Sequence, residues 1–173
     1  PNVYAEYVGA PLLHPQLALI SYDEVSPLRS SMNNYGVYGL FIQKQFPKYL
    51  SYGTKSIVVG DSSIIAVAPG QMGGAEDNGT PLFLNGWALL WSAELLKGSP
   101  LEGKMEEYHF FSYFDTDWLR MTASEYERFS LLLVTMRKEM QENPDSPALR
   151  NILTSYLKLI LEYCQRIYLR QRS

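Results

Sequence analysis

The chain has 173 residues, enough for one domain or for one domain with an appended helical piece. Hydrophobic residues make up 46% and aromatic residues 13%, which supplies a core and excludes a disordered chain. A net charge of −3 argues against a face that grips duplex DNA unaided, and two histidines and one cysteine (His14, His109, Cys164) exclude a disulfide framework and argue against a His/Cys zinc site.

No apolar run reaches the length of a membrane span, and no basic segment leads into an apolar one as in a secretory leader. The expected setting is reducing and cytoplasmic, without a membrane partner. The first residue is not Met, which points to a longer natural protein.

Residues 1–16 are broken by Pro11 and Pro15 and read as an arm over the rest. Leu17 to Tyr22 is the first predicted strand, and Asp23 to Asn34, with Pro27 and an Asn-Asn pair, is predicted loop. Tyr35 to Gln43 is aromatic and β-branched and reads as a strand with a bend at its glycines. Shorter strands are predicted over Tyr49–Tyr52, Ser56–Val59 and Ser63–Ala68. Strands of this length and spacing predict a sandwich or barrel.

Ser62 to Trp91 reads as an apolar strand (SIIAVA), a turn (PGQMGG), a polar loop (AEDNGTP) and a second apolar strand (LFLNGWALLW), a two-stranded unit for a barrel centre. Short helices are expected near residues 92–108.

From Thr122 the period changes to that of a helix. Thr122 and Glu125 have the spacing of a capping box, with Met121 and Tyr126 in the places of a hydrophobic staple. Tyr126, Phe129, Leu133, Met136 and Met140 recur on one face, and Asn143-Pro144 ends the helix. A second helix starts with Ser146 as N-cap and Pro147 at its first position and runs to about Arg170. One of its faces carries Leu149, Leu153, Tyr156, Ile160, Tyr163 and Ile167; another carries Ile152, Leu157, Leu159, Leu161, Cys164 and Tyr168. Two apolar faces need two partners. The first is expected against the preceding helix and the second against the same helix of another subunit, with Leu153, Tyr156, Ile160, Cys164 and Ile167 at the dimer interface. Burial of both faces within one chain is the alternative.

No catalytic constellation is legible. His14 lies between Leu13 and Pro15 as an arm or surface residue, His109 between Tyr108 and Phe110 as a partly buried structural one, and Cys164 in mid-helix as a small hydrophobe. PGQMGG lacks the Lys-Ser/Thr of a phosphate loop. The chain is therefore expected to be no enzyme, with no catalytic residues, no metal ligands and no cofactor. A binding site remains. Asn85 and Trp87 share a parity along the second central strand, and a flat indole beside an amide suits a sugar or a small amphipathic ligand. Core filling by Trp87 is the alternative.

The segment IIAVAPGQMGG, then a loop, then GWALLWSAELLKGSPL, then two helices ending in LEYCQRIYLRQ, resembles the N-terminal domain of AraC-family transcriptional regulators of the Bacteroidetes type. The resemblance spans nearly the whole chain. It implies a mainly β fold with C-terminal helices (α+β): a cupin-type jelly-roll barrel over residues 1–121, then a helical dimerisation segment over 122–173 packed on it. It implies a small-molecule effector, a homodimer through the last helix, and DNA contact only through a helix-turn-helix domain absent from this chain.

It also implies Trp87 as a ring-stacking residue, Asn85 as a polar contact and Gln43 where the sugar-binding member has a cationic one, with Tyr38 completing the set. Gly73 and Gly74 stand where many cupins place a metal- or ligand-binding histidine, and glutamine in place of arginine removes a charge-assisted fork. A metal-poor cupin enzyme of the isomerase or dioxygenase kind, and a purely structural dimerisation module, are the alternatives.

Overall fold

The computed structural model describes residues 12–22, 28–29, 36–44, 49–52, 55–58, 62–70, 81–82, 85–111 and 118–172. Their strands are β1 (Leu17–Ser21), β2 (Leu28–Arg29), β3 (Tyr38–Gln43), β4 (Tyr49–Tyr52), β5 (Lys55–Val58), β6 (Ser62–Val67), β7 (Pro81–Leu82), β8 (Gly86–Trp91) and β9 (Leu119–Met121). Short 3-10 turns follow β8 at Ala93–Leu96, Met105–Glu107 and His109–Phe111, and two helices close the chain, α1 (Ala123–Glu142) and α2 (Leu149–Arg172). The fold is α+β, mainly β with C-terminal helices.

Five strands form one antiparallel sheet in the order β1-β8-β3-β6-β9; β2 with β7 and β4 with β5 form two-stranded sheets. The apolar strands of the Ser62–Trp91 stretch do not pair with each other. β3 lies between them, with Ile42 opposite Ile64 on one side and opposite Trp87 on the other. A hairpin needs a tight turn, whereas residues 68–85 form a connection long enough for another strand to enter. The short helices expected near 92–108 are present as 3-10 turns at Ala93–Leu96 and Met105–Glu107, separated by Gly98, Pro100 and Gly103, and β9 is an edge strand beyond what the sequence predicts.

Alternation sorts the sheet's side chains onto two faces. One carries Leu17, Leu19, Leu40, Ile42, Ile64, Trp87, Leu89 and Trp91, which share a single core cluster with Phe129, Leu133 and Met136 of α1 and Leu153, Leu157 and Ile160 of α2. The other carries Ala18, Ile20, Phe41, Ile65, Ala88 and Leu90, all buried as well. A sheet buried on both faces explains why its strands read as continuous apolar runs rather than as clean alternation.

Gly86 opens β8 at φ +124°, and a Cβ built there would lie 2.1 Å from the Ile42 carbonyl oxygen. Only glycine lets the chain enter β8 this close to β3.

The helix pair is built as its sequence dictates. Thr122 Oγ1 accepts from the Glu125 N–H at 3.1 Å while the Glu125 carboxylate accepts from the Thr122 N–H at 2.9 Å, a complete capping box. The five apolar residues of α1 predicted on one face are the ones buried. Ser146 Oγ accepts from the Ala148 N–H at 3.2 Å at the start of α2. Two side chains then tie α2 to the segment after β8. The Arg150 guanidinium donates to the carbonyls of Glu94, Leu95 and Lys97 at 2.7–3.0 Å, and the Tyr108 hydroxyl donates to Glu162 at 2.9 Å. Burial, then that bond to Glu162, pushes the Tyr108 phenol well above its ordinary range.

Candidate functional site

The residues proposed for ligand binding fall on different faces of the sheet. Trp87 lies on the helix side, 6% exposed. Its indole N–H donates to Ser130 Oγ at 3.3 Å, and the Arg137 guanidinium sits over its ring, 5.0 Å from the centroid. Both partners come from α1, so the stacking surface of Trp87 is engaged by the chain's own arginine. Tyr38 is on the same side, stacked on Trp91 at 5.7 Å with rings inclined by 13°, and edge-on to Phe111 at 5.7 Å. Burial, with the charge of Glu106 behind it, pushes its phenol pKa up.

Gln43 is three strand positions from Leu40 and so faces the opposite side. It is 2% exposed, beside Ser63, its direct register partner, also 2% exposed. Its Oε1 accepts from the Asn85 N–H at 3.3 Å, and the Lys44 N–H donates to the Asn85 carbonyl at 3.0 Å. Asn85 itself precedes β8. The positive φ of Gly86 interrupts the extended backbone between Asn85 and Trp87, so the shared parity expected for that pair does not operate. The structure thus brings Asn85 to Gln43, and Trp87 near Tyr38's side, but does not gather the four around one point.

Ser63 was missed by the sequence reading. A serine inside an apolar strand carries no motif, and only its register opposite Gln43 marks it.

Of the residues expected at a dimer interface, Leu153, Ile160 and Cys164 are fully buried and Ile167 is 1% exposed, all inside the single chain. As placed, these four have no surface to offer a second subunit, which corrects that expectation. Burial also pushes the Cys164 thiol far above its ordinary pKa. Tyr156 alone of the five is half-buried. It belongs to a different stripe with Ile152, Leu159 and Tyr163, spaced 4, 3 and 4 along α2, where Leu159 is 40% exposed and the other three are intermediate. Leu132 of α1, also intermediate, packs against the core cluster alongside Tyr156 and Tyr163. Two guanidiniums, from Arg128 and Arg166, lie over the Tyr163 ring at 5.3 and 5.0 Å.

His109 is exposed rather than partly buried. His14 Nδ1 accepts from the Gln16 N–H at 3.0 Å, and burial, with the Arg150 charge behind it, holds its pKa low. Among the described residues no three His, Cys, Asp or Glu side chains cluster as a metal site would require, and no helix is long and apolar enough to cross a membrane. Gly73 and Gly74 lie outside the described residues.

No protein-family model, curated protein or solved structure matches the chain.

Proposed function

We propose that the chain is the effector-sensing and dimerising regulatory domain of an AraC-type transcription factor, its sheets belonging to a cupin-type jelly roll and its DNA contact supplied by a separate domain. The observation that carries this reading is the stripe Ile152, Tyr156, Leu159 and Tyr163. It repeats at coiled-coil spacing and stays half-exposed after the helix pair has filled its own core. A second copy of the same stripe, brought up by a two-fold axis, covers it. The dimer is therefore formed by the outer side of α2 rather than by Leu153, Ile160, Cys164 and Ile167.

The effector, a small polar molecule such as a sugar, is held on the Gln43 and Ser63 face. Support comes from chemistry: the Gln43 amide and the Ser63 hydroxyl stand side by side on one face of the sheet, with Arg120 next in the same cross-strand row, a polar set suited to a hydroxyl-bearing molecule. Sedimentation of the chain and of Leu159→Glu tests the dimer. The expected result is a dimer at tens of micromolar for the first and a monomer for the second; a monomer in both rejects the reading.

A further inference from the structure

Among the described residues the five-stranded sheet ends at β9, which pairs with β6 on one side only. An edge strand presents backbone N–H and C=O groups that a further strand could pair, and folded proteins cover such groups. Here the last turn of α2 covers them. The Arg120 N–H donates to Oε1 of Gln171, and Nε2 of Gln171 donates to the Trp118 carbonyl at 3.1 Å. A carboxamide has the donor and acceptor of a peptide unit, so Gln171 stands where the neighbouring strand's peptide would be.

Arg170 completes the arrangement. Its guanidinium donates to both carboxylate oxygens of Glu125, at 3.0 and 2.9 Å, and to the Arg120 carbonyl at 3.0 Å. Glu125 is the same residue that closes the capping box of α1. Burial alone would raise its carboxyl pKa, but hydrogen bonds from Arg170 and Thr122 outweigh this and hold it below the ordinary value. Both backbone groups of Arg120 are thus held by α2, while Arg120 is also the register partner of Ser63, and Ser63 of Gln43. One cross-strand row, Gln43–Ser63–Arg120, runs from the inner polar pair to the end of α2.

We infer that Arg170 and Gln171 form a latch tying the C-terminal end of α2 to the sheet edge, and that this row transmits a change at the Gln43–Ser63 face to the end of the helix pair. The transmitting role rests on the reading of that face as the sensing face; the latch does not.

Amide hydrogen exchange on the chain without any effector tests both. Gln171 is exposed, so Gln171→Ala leaves the core intact. It is expected to speed exchange of the Arg120 amide about fivefold to tenfold, the effect of one lost hydrogen bond, with the β3 amides unchanged. Gln171→Glu, which keeps the acceptor and loses the donor, is expected to retain most of that protection. Equal exchange of Arg120 in wild type and Gln171→Ala overturns the latch. Ser63→Val is expected to speed exchange over residues 168–172 in the wild-type background and to add nothing in Gln171→Ala. Unchanged exchange of residues 168–172 in Ser63→Val overturns the transmission; Ser63→Ala serves for the same comparison if the larger side chain prevents folding. Neither measurement uses an effector, so failure to find one leaves both results standing.

Discussion

The two faces of the central sheet are made by the same strands and do different work. On the helix side Trp87 is bonded by Ser130 and capped by Arg137, Tyr38 stacks on Trp91, and Leu89 is fully buried. On the far side the apolar strand residues surround a polar pair, Gln43 and Ser63. Aromatic residues attract attention as ligand-stacking groups, yet an indole's large apolar area makes it equally valuable as core, and α1 claims it here. The contrast leaves a polar pair on one face and an aromatic and aliphatic core on the other, and the proposed small-molecule site follows the polar pair.

That contrast can be broken at several points. The largest effect belongs to the helix side. Leu153→Ala is expected to cost about 3 kcal/mol or more in denaturant unfolding, because a fully buried leucine leaves a cavity among α1, α2 and the sheet. Its loss of stability relative to wild type is expected to be independent of protein concentration, whereas an interface leucine would give a loss that depends on it.

Gly86→Ala comes next. The added Cβ collides with the Ile42 carbonyl and the residue keeps a positive φ, so a cost of about 2–3 kcal/mol is expected from strain at the entry to β8. A thermal midpoint equal to that of wild type would mean that the β3–β8 approach is looser than described.

The smallest effect is electrostatic. Glu125 has a folded-state pKa below its ordinary 4.5, so its contribution is fully present above that pH and is lost as pH falls through the lower, folded value. Glu125→Gln is therefore expected to flatten the acid limb of the stability curve below about pH 4.5, by less than about 1 kcal/mol because Arg170 is half-exposed. Acid unfolding curves of parallel shape for the two proteins would show that the Arg170 bonds do not persist in solution.

Much of the local structure was legible from residues alone. The ends of α1 follow from Thr122, Glu125 and Asn143-Pro144, and the strands at Leu17, Tyr49 and Ser62 fall within a residue or two of their predicted bounds, because caps, breakers and apolar runs are local signals. What was not legible is non-local. Nothing in Ser62–Trp91 says that β3 inserts between its two strands. β9, at three residues, is too short to show a period.

The apolar arc of α2 spans so much of its circumference that periodicity could not tell which part meets the sheet. Leu153 and Ile160 turned inward, and Ile152, Tyr156, Leu159 and Tyr163 stayed at the surface. The parity argument for Asn85 and Trp87 assumed extended backbone, and Gly86 supplies the one residue type able to break it. Gln171 looked like an ordinary polar helix end; its role depends on an edge strand 51 residues earlier in the chain.

The most direct measurement is a thermal-shift titration of neutral sugars and small polar metabolites against wild type, Trp87→Phe and Gln43→Met. The account predicts a compound that raises the melting temperature of wild type and of Trp87→Phe but leaves Gln43→Met unmoved. A compound whose effect vanishes in Trp87→Phe and survives in Gln43→Met would contradict the assignment of the two faces, and a wild-type protein that responds to none would contradict the sensing role itself.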